Sequence, residues 1–303
     1  MDCRFLLREA FYGLEEEFSE LAVLSVGDPT SEEGGGYASG GAEQGLVLMA
    51  AGMAYGGKKV VLSACASLLV GRGYEQIRSA IALPSLPVCL VGYDAGFGSG
   101  YDGGARQMFE DIALMRALPN MTVLVPADTR SAAALLRGAV DKGAPSYLRL
   151  GAEELPSALS PTEEVRPRLG GARVLRHGAD ITLCACGIMV GEALKAADIL
   201  AQQDIGAEVI DCYSLAPFPE RPVLSSLQRT GCCVTAEEHF LPGGLFETVA
   251  GLAAREYPIP VQPVAVSSGF GQSGTPQDLK EYYGLTAAQI VSAAVLAWTR
   301  RKR

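Results

Sequence analysis

The chain has few of the residues that a metal protein, a nucleic-acid binder or a membrane protein needs. Its 303 residues include two histidines, and no apolar run reaches the length of a membrane span. Lysine and arginine are scattered through a chain of net charge −9, so no basic surface is expected for nucleic acid. A signal-peptide pattern is also lacking. We therefore predict a cytoplasmic protein that has no metal ligands of its own.

Cysteine is present but lacks the spacing of a disulfide framework or a metal site. There are eight cysteines. Cys184 and Cys186 alternate in a strand-like run, and Cys232 and Cys233 begin another. This pattern is typical of small buried side chains in a reducing compartment.

Apolar residues make up 49% of the chain and charged residues only 19%, which is enough apolar surface for sizeable cores. Short β-branched runs alternate with helical stretches, and this alternation predicts parallel sheets flanked by helices. The predicted strands are 22–26, 60–63, 88–92, 122–125, 146–150, 181–186, 207–213, 232–237 and 261–266. The predicted helices are 43–55, 73–82, 108–116, 129–142, 190–203, 224–228, 245–256 and 286–299, with Asp128 as the N-cap of the fourth.

A segment rich in proline and glycine interrupts the alternation between about residues 153 and 178. We interpret it as a linker. The prediction is an α/β protein with a first domain over residues 1–152 and a second over residues 179–303.

Three glycine-rich loops follow predicted strands, at residues 33–41, 92–104 and 242–244. Parallel sheets bind ligands at the carboxyl ends of their strands, and dense glycine allows close approach of the backbone. These loops are the first places to look for a site.

Several sequence motifs resemble, in order, those of transketolases and their relatives. They are GGAEQGLVLMAAGMA (40–54), GRGYEQIRSAIA (71–82), GYDGGARQMFEDIALMRALPNMTVLVPAD (100–128), TAEEHFLPGGL (235–245) and YGLTAAQI (283–290). The resemblance spans residues 4–295, and the third motif favours the transketolase branch over the β subunits of 2-oxoacid dehydrogenases.

The resemblance implies a pyrimidine-binding domain followed by the transketolase C-terminal domain. Longer members of the family bind the diphosphate of thiamine diphosphate through Mg²⁺ in a further domain, marked by a GDG motif that this chain lacks. The expected partner is therefore a separate N-terminal-half subunit that binds Mg²⁺ and the diphosphate, in an α₂β₂ assembly.

Glu43 is the candidate catalytic residue. It begins a predicted helix, where the helix dipole favours a negative charge. By resemblance, its carboxyl group bonds the pyrimidine ring nitrogen of thiamine diphosphate and so assists proton transfer within the cofactor.

Other cofactor positions depart from the family pattern. Where relatives place aromatic residues against the pyrimidine, this chain has Cys65, Leu68 and Gly71. Loss of aromatic stacking on the pyrimidine would weaken cofactor binding by about 0.5–1.5 kcal/mol per aromatic pair. Leu68 fits either a core position or a contact with the pyrimidine.

The candidate substrate positions are Asp94, Asp102 and Arg106. Asp94 and Arg106 replace two family histidines, and Gly151 lies near the position of a phosphate-binding arginine. Asp94 would repel a phosphate, whereas Arg106 would bind a carboxylate. Asp94 and Asp102 also suit turns, and Arg106 also suits a solvated loop. We therefore expect transfer of a two-carbon ketol or acyl unit from a 2-oxo acid or another specialised donor.

Three alternatives stay open. The chain is also consistent with a catalytically degenerate structural or regulatory subunit, or with a dehydrogenase β-like subunit. The loop at 27–41 suits either a mobile lid or a trimmed connection. His239 suits either a group that titrates near neutral pH or, as we favour, a structural contact between domains or subunits.

Overall fold

A computed structural model of the chain describes residues 3–25, 37–38, 42–151, 168–267 and 269–301. The glycine-rich loop that precedes Glu43 lies largely outside these residues, as does most of the predicted linker. Among the described residues, no helix is both long and apolar enough to cross a bilayer.

The first half of the chain alternates strands and helices. In chain order its elements are α1 (Cys3–Glu17), β1 (Leu21–Ser25), β2 (Tyr37–Ala38), α2 (Glu43–Tyr55), β3 (Lys59–Cys65), α3 (Gly73–Gln76), β4 (Val88–Tyr93), α4 (Asp111–Arg116), β5 (Thr122–Leu124), α5 (Thr129–Lys142) and β6 (Ser146–Arg149). Two π-helical turns, Ser67–Arg72 and Ile77–Ala82, flank α3, and a 3₁₀ segment spans Phe97–Ala105.

The second half repeats the alternation. Its elements are β7 (Arg173–Arg176), β8 (Ile181–Ala185), α6 (Met189–Ala201), β9 (Ala207–Asp211), β10 (Ser214–Ala216), α7 (Glu220–Thr230), β11 (Cys233–Phe240), α8 (Leu245–Glu256), β12 (Val261–Val266), α9 (Pro276–Tyr282) and α10 (Ala287–Arg300).

These elements form two sheets of mostly parallel strands. The first has the order β10-β5-β6-β4-β3-β1-β2, and the second has the order β12-β11-β8-β9-β7. Strands β3 and β4 are buried almost throughout, as expected where helices cover both faces of a parallel sheet. The fold class predicted from the sequence is confirmed.

Local chemistry explains why several helix bounds agree with the sequence. Helices α2, α5 and α8 begin and end at the predicted residues. The Asp128 side chain accepts a hydrogen bond from the Ser131 amide at 2.7 Å, as an N-cap does. Gly143 ends the same helix in the left-handed conformation, with φ of +62°.

Two strands differ from the predicted organisation. β7 lies inside the segment interpreted as a linker and pairs antiparallel with β9. β10 belongs to the second half of the sequence, yet it pairs antiparallel with β5 at the edge of the first sheet. The two halves therefore share a sheet as well as a packing interface.

Candidate functional site

The candidate residues of the first half follow strands that are neighbours in the first sheet. Cys65 ends β3, Asp94 follows β4, and Glu43 follows the short strand β2. Because β2, β1, β3 and β4 are adjacent and parallel, their carboxyl ends meet at one edge of the sheet, where ligands bind in folds of this class.

Glu43 is the first residue of α2, and its side chain is only 3% exposed. Carboxylate oxygen Oε2 lies 3.6 Å from Arg72 Nη1, and the Gln44 side-chain amide donates a 2.9 Å hydrogen bond to the Arg72 carbonyl. The Glu43 carboxylate therefore lies at the start of a helix and close to a guanidinium.

Sequence reasoning missed Arg72. The residue lies inside the GRGYEQ motif, so a signal was present, but only the folded backbone shows that it reaches Glu43. The π-helical turn Ser67–Arg72 places it there, and such turns are frequent at functional sites.

The three predicted pyrimidine contacts lie along the end of β3 and this turn. Cys65 is buried, with its Sγ 3.4 Å from Ser67 Oγ and 3.9 Å from Ser99 Oγ. Leu68 is half-buried, and no atom lies within 4 Å of a Cβ built on Gly71. A buried carboxylate, a partly exposed apolar side chain and open space beside Gly71 together fit an aminopyrimidine ring.

Asp94 and Gly151 lie close together at the ends of β4 and β6. A Cβ built on Gly98 would be 3.4 Å from Asp94 Cβ and 3.2 Å from the Gly151 carbonyl oxygen. Asp94 has φ of +53°, a conformation that Asp tolerates better than most residues. The structure thus brings together two of the positions where this chain departs from the family pattern.

Asp102 and Arg106 belong to a different part of the site. Asp102 is exposed on the 3₁₀ segment, and Arg106 follows that segment half-buried. The neighbouring Gln107 side chain donates to the Gln272 carbonyl at 2.9 Å, so contacts with the second half of the chain position both residues.

A buried charge network joins the two halves beside these loops. Arg149 Nε lies 3.0 and 3.1 Å from the two carboxylate oxygens of Asp111. Its other nitrogens bond the Glu238 side chain at 3.3 Å and the Glu238 carbonyl at 2.7 Å. Glu238 also accepts the Phe97 amide at 3.0 Å. Removing one member would leave a buried charge without its partner. Because Glu238 also binds the Phe97 amide, the network holds the segment after Gly96 in place.

His239 is a structural contact between the halves, as favoured from the sequence. Its Nε2 accepts the Ala113 amide at 3.3 Å, and Nδ1 lies 2.6 Å from the Phe240 carbonyl oxygen, to which it donates. Burial lowers the pKa of His239 to about 4, so the alternative of titration near neutral pH is wrong. Burial conversely raises the pKa of Glu237 to about 7.

The seven cysteines among the described side chains are all buried, in agreement with their predicted packing role. Within the same described residues, no group of three or more His, Cys, Asp or Glu side chains has an arrangement that could hold a metal ion.

Comparison with known proteins gives the class to which this fold and site belong. The family "Transketolase, pyrimidine binding domain" matches residues 21–157, and "Transketolase, C-terminal domain" matches residues 170–290. The chain belongs to the transketolase family.

Its relatives include proteins that are named as transketolase subunits. It is 38% identical to the 6-deoxy-6-sulfo-D-fructose transketolase subunit SqwH of Clostridium sp. (strain MSTE9), over 84% of this chain and 79% of that one. It is 31% identical to a subunit of the apulose-4-phosphate transketolase of Phocaeicola vulgatus, over 84% and 81%. A solved structure described as "Split gene transketolase, inactive beta4 tetramer" matches the whole of both chains with 38% identity and a TM-score of 0.93.

Proposed function

We propose that this chain is the pyrimidine-binding subunit of a two-subunit, thiamine-diphosphate-dependent transketolase. The buried carboxylate of Glu43, at the first turn of α2 and the carboxyl edge of the first sheet, is the observation on which the proposal rests. The family membership and the names of the relatives support it.

The residues of this chain have distinct tasks in the proposal. Glu43 holds a proton at the pyrimidine ring nitrogen, Leu68 packs against the ring, and Arg72 orients the Glu43 carboxylate. When bound, thiamine diphosphate supplies the electron sink for breaking and forming a carbon–carbon bond next to a carbonyl group. Mg²⁺ and the diphosphate bind on the other subunit.

The proposed active assembly is α₂β₂, with this chain as β. Two relatives are named as transketolase subunits, which agrees with a divided enzyme. The similar solved structure is described as an inactive tetramer of β chains. We propose that this chain likewise associates with itself when its partner is absent, and that this form is inactive.

The proposed donor is a 2-oxo acid or another specialised substrate rather than an ordinary sugar phosphate. Asp94 places a carboxylate at the end of β4, beside Gly151, and like charges repel. Arg106 supplies a guanidinium that fits a carboxylate in bidentate fashion. The two relatives above are named for different sugars, 6-deoxy-6-sulfo-D-fructose and apulose 4-phosphate, so the substrates named within this family vary.

Calorimetry of the two-subunit complex tests the central proposal. Thiamine diphosphate and Mg²⁺ are titrated into wild type, Glu43→Gln and Glu16→Gln, which changes an exposed carboxylate on α1. We expect micromolar binding by wild type and by the Glu16→Gln control. In a separate activity assay with donor candidates, Glu43→Gln should lose most of its activity. A folded complex that does not bind the cofactor would favour a structural or regulatory role.

A further inference from the structure

Two buried carboxylates lie where the first sheet meets the second half of the chain. Asp128 is the N-cap of α5, and Asp211 is the last residue of β9. The Val125 amide donates a 2.7 Å hydrogen bond to the Tyr213 carbonyl. Because β5 and β10 are antiparallel, the chain after Val125 and the chain before Tyr213 extend from this bond in the same direction. The fold therefore brings Asp128 and Asp211 to one place.

The electrostatics of Asp211 agree with this placement. Arg173 Nη2 lies 3.1 Å from Asp211 Oδ2. The pKa of Asp211 is raised to about 7 by burial, against the opposing effect of Arg173 and with a further contribution from the charge of Asp128. Two buried carboxylates thus depend on one guanidinium for compensation.

Three buried oxygens in this cluster have no hydrogen-bond partner in the part of the chain that the structure describes. They are Asp128 Oδ2, Asp211 Oδ1 and Oγ of Ser131, in the first turn of α5. The other carboxylate oxygens are bonded, since Asp128 Oδ1 accepts the Ser131 amide at 2.7 Å and Asp211 Oδ2 accepts from Arg173. Buried polar groups are normally satisfied, so these three oxygens indicate a ligand that binds oxygen.

The charge of the cluster indicates which kind of ligand fits. The two carboxylates carry two negative charges, against one positive charge on Arg173 and about half a charge at the start of α5. Negative charge therefore remains, and a divalent ion would replace it with a large excess of buried positive charge. All three free atoms are oxygens, the ligands that hard cations take.

We propose that Asp128, Ser131 and Asp211 bind a monovalent cation, sodium or potassium, between the two halves of the chain. Water completes the coordination shell and also offers an acceptor to Arg173 Nε, which is buried without one among the described residues. The ion joins the start of α5 to the end of β9 and so strengthens the contact between the halves. This site departs from the sequence-based expectation that the chain has no metal ligands. It involves neither Glu43 nor a cofactor and is independent of the proposed function.

Thermal unfolding of the full chain in different salts tests this inference. At fixed pH, the wild-type melting temperature should be roughly 3–8 °C higher in potassium or sodium chloride than in choline chloride of equal concentration, because choline is too large to be enclosed. The larger of the two shifts identifies the ion. Equal ionic strength removes general screening from the comparison.

Three variants locate the effect. Asp128→Asn keeps an N-cap acceptor and Asp211→Asn keeps the size of the side chain, but each removes a negative charge, so each should lose most of the shift. The control is Asp198→Asn, whose carboxylate is 72% exposed beside Arg176; it should keep the full shift. Each variant is compared with itself in the other salts, so a change in its basal stability does not affect the result.

Anomalous diffraction gives a second measurement. Crystals soaked in thallium(I), a heavy monovalent ion, should show a peak among the three oxygens in wild type and none in Asp211→Asn. Two results would overturn the inference. One is an equal wild-type melting temperature in all three salts together with no peak. The other is a cation-dependent shift that both Asp128→Asn and Asp211→Asn retain, which would place the bound ion elsewhere. Neither measurement needs thiamine diphosphate or activity, so its failure is distinct from failure of the proposed function.

Discussion

Asp94 is the side chain through which we propose that the chain selects its donor. It lies half-buried after β4, close to Gly98 and Gly151. A carboxylate near a phosphate costs about 1 kcal/mol in water at 4 Å, and several times more where the dielectric constant is lower. The charge on Asp94, rather than the shape of the residue, should therefore select against phosphorylated donors.

Asp94→Asn tests this selection. Asn also tolerates the positive φ of +53°, so the backbone should be preserved. We expect kcat/KM for xylulose 5-phosphate to rise about five- to thirty-fold, because about 1–2 kcal/mol of repulsion disappears. Activity with uncharged donors should stay within twofold. Steady-state kinetics of the two-subunit complex provides the measurement. If the preference between phosphorylated and uncharged donors is unchanged, Asp94 does not determine donor specificity.

At the residue scale, the motifs located Glu43 but not its surroundings. The helix start and the GGAEQ pattern identified the carboxylate. Its neighbour Arg72 depends on a π-helical turn, which hydrophobic periodicity does not predict. The members of the charge network, such as Arg149 and Glu238, are equally hidden, since a charged residue in a sequence gives no sign that its partner lies in another domain.

At the scale of elements, the connection after β4 depends on a glycine that no other residue can replace. Gly96 has φ of +62°, and a Cβ built on it would lie 2.3 Å from Glu238 Cδ. An alanine there would strain the backbone and displace Glu238 from Arg149 and from the Phe97 amide.

Gly96→Ala should therefore destabilise the protein by roughly 2–4 kcal/mol. Gly251→Ala is the matched comparison, because Gly251 is exposed within α8 and a Cβ there meets no atom within 4 Å. That change should stabilise by about 0.5–1 kcal/mol. Thermal unfolding of both variants is the measurement. A midpoint for Gly96→Ala at or above that of wild type would show that the loop adjusts freely.

Elements with strong periodicity or clear caps were predictable, and those defined by distant partners were not. α5 has Asp128 before it and Gly143 after it, and both signals are visible in the sequence. β10 has only three residues, and it forms because it pairs with β5, a strand of the other half of the chain. α9 was missed although Thr275 caps it and Pro276 begins it, because its seven residues are too few for periodicity to show.

At the scale of the whole molecule, the two halves are joined by β10, by the Arg149 network and by His239. These contacts are buried, so the halves should unfold together rather than separately. His239 makes the stability of the contact between the two halves depend on pH. Its folded-state pKa is about 4, below the usual 6.5. The stability it contributes is therefore fully present above pH 6.5 and is lost as the pH falls toward 4.

Between pH 7 and pH 5, this linkage should cost wild type about 2 kcal/mol relative to His239→Asn. The variant will be less stable at pH 7, because the Ala113 amide loses its acceptor, but its stability should depend less on pH. Glu237 acts in the opposite direction, since its pKa is raised to about 7, but it is present in both proteins and largely cancels in the comparison. Urea unfolding at fixed protein concentration, followed by the fluorescence of Trp298, measures the free energy of unfolding of wild type and His239→Asn at each pH.

His177→Asn is the control for this measurement. The His177 side chain is 88% exposed and makes its ion pair with Glu208, so this variant is the same His→Asn change away from the contact between the halves. If wild type, His177→Asn and His239→Asn all lost the same stability on acidification, the buried imidazole would not be the group that links the halves to pH. If only His239→Asn has the shallower dependence, the neutral form of His239 is required for the two domains to stay packed. Mild acid would then loosen the interface that positions Asp102 and Arg106.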